Sequence, residues 1–344
     1  MTTIALIPAR NEPEIRLAVE GIRRQSHPVE LLLVIVNNDT TNGETARIAR
    51  EYGAEVIDLG TIEGKKAGAL NIGFDLVLKR YPHVEYILQA DADSVLEVHF
   101  IERTVAAMKA NRRIGGLCAC FLGRKKLGST WINRFLISSQ RQEYARYNGN
   151  QLSIQSSVLS GTASLLRVEA LLQLKTERGF VWSETCLAED LELTKALQAR
   201  GWLCLTDKSF VSNTDVMTTW GELIQQRKRW QRGTLDVVFR LYKGQRCVRR
   251  EALTQWLAYL AYPVQIASYA YLAISSIWHP VFILPLIATF FLLGLYSAFS
   301  VRRAGWKGML LAAAYIPGEV YSALRYYWLV RSWWLYRKQT LQSW

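Results

Sequence analysis

Tyr86-Ile-Leu-Gln-Ala-Asp-Ala-Asp93 is a mostly apolar run that stops on two carboxylates. It is one of five short apolar runs in about the first 120 residues, the others being Ile4–Pro8, Leu31–Val36, Ala54–Asp58 and Ile114–Phe121. Between them, residues 13–26, 43–52, 66–80 and 97–111 have helical composition and spacing. Alternation of this kind predicts an α/β fold with a largely parallel sheet and helices on both faces. In such sheets the ligand lies beyond the carboxyl ends of the strands. The polar clusters that directly follow the runs are therefore candidates: Ala9-Arg-Asn-Glu12, Asn37-Asn-Asp39 and Asp91-Ala-Asp93.

The chain has 344 residues, half of them hydrophobic, with 12 Trp and 16 Tyr, which excludes a disordered polypeptide. The five cysteines (118, 120, 186, 204 and 247) form no CxxC pair and read as reduced thiols in a cytosol-facing fold. The opening residues show no basic segment before a long apolar stretch, so no signal peptide is expected. Charge is unevenly spread. Residues 1–224 carry 26 basic and 26 acidic side chains, whereas residues 225–250 carry nine basic side chains and one acid, Asp236. That division argues against a nucleic-acid binder and places a basic collar before the most apolar part of the chain.

Residues 252–277 and 279–301 contain no Asp, Glu, Lys or Arg, and each is long enough to cross about 30 Å of hydrocarbon. Core helices of a soluble protein rarely stay uncharged over such lengths twice in succession. The stretch 308–330 is less uniform, holding Pro317, Glu319 and Arg325. A third crossing is favoured over an interfacial or re-entrant segment, although three crossings would put Arg331, Arg337 and Lys338 outside, against the positive-inside rule. Residues 128–147 and 232–243 have apolar and basic faces suited to the headgroup layer, or to an ordinary protein surface. The expected organisation is a catalytic domain over residues 1–231, a basic interfacial helix over 232–250, and a membrane region over 251–344 with two or three crossings.

Several constellations carry chemistry. Asp91 and Asp93 at a strand end suit a hard divalent cation such as Mg²⁺, which completes its shell with phosphate and water. Glu189-Asp190 opens a helical pattern, where a carboxylate favours the helix dipole or serves as a general base. Gln226-Arg-Lys-Arg-Trp230 offers basic groups for a pyrophosphate and an aromatic face for a sugar ring. Gly64-Lys-Lys-Ala-Gly-Ala-Leu-Asn71 lacks the spacing of a P-loop. The four histidines are scattered without metal-ligand spacing, and no Gly-x-Ser-x-Gly element is present.

In this order the elements resemble the family-2 glycosyltransferases, especially the membrane-bound branch containing cellulose, hyaluronan and poly-N-acetylglucosamine synthases. Ile7-Pro-Ala-Arg-Asn-Glu12 is similar to the family's nucleotide-binding loop, and Lys66-Ala-Gly-Ala-Leu-Asn71 to its KAGALN motif. Asp91-Ala-Asp93 resembles the metal-binding DxD, Ser160-Gly-Thr162 the glycine motif on the substrate side, Ala188-Glu-Asp190 the TED motif, and Gln226, Arg229 and Trp230 the QxxRW motif.

The resemblance implies a GT-A catalytic domain facing the cytosol at the plasma (inner) membrane, followed by transmembrane helices. It implies inverting transfer of a sugar from a nucleotide sugar, a UDP-hexose or UDP-N-acetylhexosamine, to a hydroxyl of a polysaccharide or glycolipid, with no nucleic-acid partner. By the same resemblance Asp190 is the base, and Asp93 with Asp91 holds Mg²⁺ or Mn²⁺. Ala9, Glu12, Asn38, Lys66, Asp91 and Arg229 bind the nucleotide sugar. Gly161, Glu189, Gln226 and Trp230 serve the acceptor. The sequence departs from the family at Asn37-Asn38, where an Asp is usual, and at Ala188, where Thr is usual. It also lacks the N-terminal membrane helices of the large synthases. Two alternatives are non-processive transfer of one sugar to a lipid, and a nucleotide-sugar-binding membrane protein without turnover.

Overall fold

A computed structural model of the chain describes residues 2–124, 128, 130–149 and 155–338. They form two compact units, the first built from Met1–Arg124 and Gln151–Asp215, the second from Lys125–Asn150 and Val216–Trp344.

The first unit is a sheet of eight strands: β1 (Thr3–Ala9), β2 (Leu31–Val36), β3 (Glu55–Asp58), β4 (Tyr86–Gln89), β5 (Val95–Leu96), β6 (Ile114–Gly123), β7 (Ser164–Arg167) and β8 (Leu203–Thr214). Their spatial order is β3-β2-β1-β4-β7-β6-β8-β5. The five apolar runs became β1, β2, β3, β4 and β6. The first four pair in parallel, as expected, with Leu6 opposite Gln89 and Ala9 opposite Val36. The sheet is mixed beyond β4. Strand β7 lies antiparallel between β4 and β6, and β5 pairs antiparallel with β8.

The helices of this unit are α1 (Ile15–Arg23), α2 (Glu44–Glu51), α3 (Lys65–Arg80), α4 (Phe100–Ala110), and, after residues belonging to the second unit, α6 (Val168–Arg178) and α7 (Glu189–Ala199). Alternate residues of the central strands serve the two faces, because side chains of a strand point to opposite sides. Ala5, Ile7, Val34 and Leu88 bury against Ile15, Val19, Ala46 and Phe100 on α1, α2 and α4. Leu6 and Ile35 meet α3 on the other face, where a Cβ at Gly73 would lie 2.2 Å from Ile35 Cδ1. Only glycine lets α3 come this close to β2.

The second unit is helical, comprising α5 (Trp131–Gly149), α8 (Trp220–Asp236), α9 (Arg249–Trp278), α10 (Ile283–Ser300), α11 (Trp306–Ala313) and α12 (Ile316–Arg337). Leu136, Leu223, Tyr321 and Trp328 make one core of this unit, from α5, α8 and α12. Thr219 caps α8 through a reciprocal capping box with Glu222. The expected boundary at residue 231 falls inside α8, which continues to Asp236 before a π-helical turn at Val237–Leu241.

Among the described residues two helical stretches are long and apolar enough to cross a membrane, Arg246–Trp278 and Pro280–Ser300, with mean hydropathy 1.2 and 2.2. Almost none of their residues is fully buried, unlike those of a core helix. The stretch 308–330 is not one continuous helix. It breaks at Ala314 and Tyr315, where Tyr315 adopts φ +61° before Pro317 at the start of α12. The break is held by Tyr315 Oη, which accepts a hydrogen bond from Gln265 Nε2 at 3.2 Å and lies 2.5 Å from Tyr269 Oη.

Candidate active site

The candidate site of the first unit lies where the parallel strands end. Beyond β1, Asn11 takes φ +50° and ties its loop to the one after β2: its N–H donates to Asp39 Oδ1 at 3.1 Å, and its side-chain oxygen accepts from Thr40 N at 2.7 Å. Burial would raise the Asp39 carboxyl, but hydrogen bonds from Thr41, Asn11 and Thr45 outweigh it and hold the group below its ordinary value. Glu12 N donates to Thr45 Oγ1 at 3.1 Å. Asn37 N donates to Ala9 O at 3.1 Å, and Asn38, at φ +52°, donates its N–H to Gly60 O at 2.7 Å. Ala9, Glu12 and Asn38 are thereby brought onto one cross-linked edge.

Strand β4 delivers the acidic pair beside that edge, Ala90 N donating to Leu6 O at 3.1 Å. Asp93 Oδ1 accepts from Ser94 Oγ and Thr214 Oγ1, each at 3.2 Å. Burial, and then the charges of Asp91, Asp215 and Glu12, push the Asp93 carboxyl up to about 7. Such a concentration of negative potential is where a dication would be most favourable. Among the described residues no three His, Cys, Asp or Glu side chains form a metal cage by themselves. Two carboxylates at a strand end would nevertheless suit a Mg²⁺ or Mn²⁺ ion that took the rest of its shell from phosphate oxygens and water.

Lys66, in the first turn of α3, links this pair to the start of α7. Its Nζ lies 2.6 Å from Asp91 Oδ1 and 3.1 Å from Glu189 Oε1. Burial would lower the ammonium, but Asp91, Glu189 and Asp190 together raise it, so Lys66 stays charged. Asp190 Oδ1 accepts from Leu191 N at 2.8 Å, and its other oxygen lies 3.4 Å from Gly161 N. Burial, then repulsion from Glu189, moves the Asp190 carboxyl up to about 6, against the opposing pull of Lys66. A Cβ at Gly161 would sit 2.6 Å from Lys66 Nζ and 3.2 Å from Asp91 Oδ2, so a larger residue would displace the Lys66 ammonium.

Three residues outside the expected set build this arrangement. Asn71 on α3 accepts from Val181 N at 3.1 Å and Trp182 N at 3.0 Å, and donates to Trp182 O at 2.8 Å. Trp182 is fully buried and donates from Nε1 to Gln89 Oε1 at 2.8 Å. The segment leading into α7 is thus fastened to α3 and to the strand that carries the acidic pair. Asn71 ends the KAGALN stretch, which pointed to it; no local pattern pointed to Trp182 or Gln89.

Ala188 is the N-cap of α7 and offers no side-chain acceptor. Ala188→Thr is expected to stabilise the protein by about 1 kcal/mol, because Thr at this position accepts an unpaired N–H of the first turn. A thermal melt should show a midpoint about 2–4 °C higher, and an unchanged or lower midpoint would refute the capping account.

The remaining expected residues, Gln226, Arg229 and Trp230, stand on α8 in the second unit. Arg229 is exposed. Trp230 is covered on one face by the buried Arg227 guanidinium, 4.3 Å from the ring centre, and Arg227 also donates to Gln226 Oε1 at 3.2 Å.

Residues 86–301 match the model of the family described as glycosyl transferase family group 2. A protein of Bacillus subtilis named as a probable glycosyltransferase is 26% identical over 68% of this chain and 56% of its own length. A probable glucomannan 4-beta-mannosyltransferase of Arabidopsis thaliana is 24% identical over 74% of this chain and 49% of its own length. The chain therefore spans about half the length of these curated relatives. In fold it is similar to a mannosyltransferase from Pyrobaculum calidifontis, solved in complex with GDP-Man and Mn²⁺. That likeness has a TM-score of 0.59 and 16% identity, and covers 97% of this chain and 86% of that one.

Proposed function

The chain belongs to glycosyl transferase family group 2, and from that premise we propose that it moves a sugar from a nucleotide sugar to an acceptor hydroxyl, with inversion, at a membrane surface. The observation that carries this reading is the convergence of Lys66, Asp91, Gly161, Glu189 and Asp190 at the strand ends. Asp190 takes the proton from the acceptor hydroxyl, as a carboxylate poised near neutrality can. Lys66 is the positive group next to the acidic pair, suited to hold the diphosphate against it. The loops at Ala9–Glu12 and Asn38 hold the nucleoside, and Asn38 supplies both a donor and an acceptor. Asp91 and Asp93 would hold Mg²⁺ or Mn²⁺, which when bound neutralises charge on the departing nucleoside diphosphate. Gly161 and Glu189 would serve the acceptor. The family resemblance alone assigns Arg229 to the diphosphate and Gln226 and Trp230 to the acceptor.

Attachment to a bilayer is supported by the exposed apolar surfaces of α9 and α10. The nine basic residues of 225–250 are what supports reading the preceding domain as cytosolic, by the positive-inside rule. The product is a glycan chain or a glycolipid.

The test is release of nucleoside diphosphate by purified protein, over a panel of UDP-hexoses, UDP-N-acetylhexosamines and GDP-mannose, with product length read by mass spectrometry. Acceptor-dependent release with one donor supports the proposal; binding without release would make the chain a nucleotide-sugar binder. The pH profile has a defined sign. Asp190 works ionised, and its carboxyl is raised to about 6, so kcat/KM should be low at pH 5, rise through about pH 6 and level off above it. A profile flat from pH 5 to 8 would exclude Asp190 as the base.

A further inference from the structure

The second unit contains a cleft that the transfer reaction does not employ. Its walls include Ser139, Glu143 and Arg146 from α5, and Gly318, Tyr321 and Arg325 from α12. Glu143 is the one carboxylate among the lining residues. Its Oε2 accepts from Arg227 Nη2 at 2.7 Å and from Tyr321 Oη at 3.0 Å. Burial would raise the Glu143 carboxyl, but Arg227 and Arg325 outweigh it, so the group stays ionised with its charge committed to the buried Arg227.

One carboxylate thus serves both Arg227 and Arg325, and Arg146 adds a third guanidinium beside it. Arg325 lies 3.6 Å from Glu143 Oε1 and is half exposed. Arg146 donates from Nε to Ser300 Oγ at 3.2 Å and forms no ion pair among the described residues. Its guanidinium is depressed first by burial and then by the like charge of Arg325, while Tyr296, Glu143 and Glu319 pull the other way. Helix α12 also begins at the cleft: Pro317 has no N–H, and the N–H groups of Ile316 and Glu319 donate to Ala314 O and Tyr315 O, so its first turn adds at most the Gly318 N–H as a donor. A Cβ at Gly318 would meet nothing within 4 Å, so the approach is open.

We propose that this cleft between α5 and the start of α12 binds a phosphate-type anion, either the phosphomonoester headgroup of a lipid or a free phosphate. Two guanidinium groups, hydroxyls at Ser139 and Ser322 and the Gly318 N–H offer donors from several directions, which suits a tetrahedral oxyanion better than a planar carboxylate. Leu311 and Pro317 give the cleft an apolar side compatible with a lipid-borne phosphate.

The full chain in an uncharged detergent would be titrated with short-chain phosphatidic acid, with diacylglycerol of the same chain length, and with inorganic phosphate, following the melting midpoint. Phosphatidic acid should raise the midpoint and diacylglycerol should not. Saturation by phosphatidic acid at concentrations at least tenfold below inorganic phosphate identifies a lipid headgroup; equal potency identifies the free anion. Arg146→Gln and Arg325→Gln should each weaken phosphate binding about tenfold or more, as loss of a charge-assisted contact does. Gly318→Asp keeps both arginines and the helix while placing a carboxylate in the opening, and should weaken it at least as much. Equal stabilisation by diacylglycerol, or undiminished phosphate response in Gly318→Asp, would overturn the proposal.

Discussion

Asp190→Asn is expected to lower kcat by about 10²–10⁴-fold, the usual contribution of a positioned general base, while nucleotide-sugar binding is retained. The amide keeps the size of the carboxylate and can still accept the hydrogen bond from Leu191 N. It cannot take a proton from an attacking hydroxyl. Glu189→Gln should cost less, because Glu189 reaches the site through its ion pair with Lys66. Single-turnover rates and donor affinity, measured separately, distinguish the two. Full activity of Asp190→Asn would reduce this carboxylate to a helix-opening residue stabilised by the dipole of α7.

Asp93→Asn carries the second large effect, and its two consequences have opposite signs. Turnover with Mg²⁺ or Mn²⁺ should fall by at least about 10²-fold, since a neutral amide is a far weaker ligand and the charge on the leaving group loses its counterweight. Stability should rise. Asp93 is raised to about 7 in the folded chain by burial and by Asp91, Asp215 and Glu12, against an ordinary value of 3.8. A raised carboxyl binds its proton more tightly when folded, so ionisation costs stability increasingly between about pH 4 and pH 7. The metal-free variant should therefore melt above the wild type at pH 8, with the gap closing as pH falls towards 4. Adding Mn²⁺ with nucleotide should stabilise the wild type only. A variant that melts lower at pH 8 and still turns over would refute both the electrostatics and the metal assignment.

Asp93 and Asp190 each stand in a local pattern of the chain. Asp93 follows a run of apolar residues, and Asp190 opens a helical pattern; both are local signals, because strand and helix periods are set by neighbours in the chain. Lys66 entered through its motif alone. Its role as the bridge between Asp91 and Glu189 depends on two approaches made by distant segments, which no periodicity encodes. The same holds for Trp182 and Gln89, whose hydrogen bond is a pairing of buried polar groups from different layers of the fold. Burial forces such groups to find partners, but only the packed structure selects which.

The third apolar stretch illustrates the opposite limit. Its length and the family resemblance favoured a third crossing, against the local warnings of Pro317, Glu319 and Arg325. The chain instead breaks at Tyr315, whose left-handed backbone is unfavourable for a bulky residue and is held there by contacts with Gln265 and Tyr269 of another helix. The sequence alone determined the alternating strands and helices of the first unit, the acidic strand end, the carboxylates at the start of α7 and the two uncharged stretches 252–277 and 279–301, since each is written in residues adjacent along the chain. Tertiary structure alone decided the antiparallel insertion of β7 between β4 and β6, the closing of Lys66 onto both carboxylates and the interruption before α12. Each of these rests on register and packing between segments far apart in sequence, where the free energy of a contact depends on what the rest of the fold brings to it.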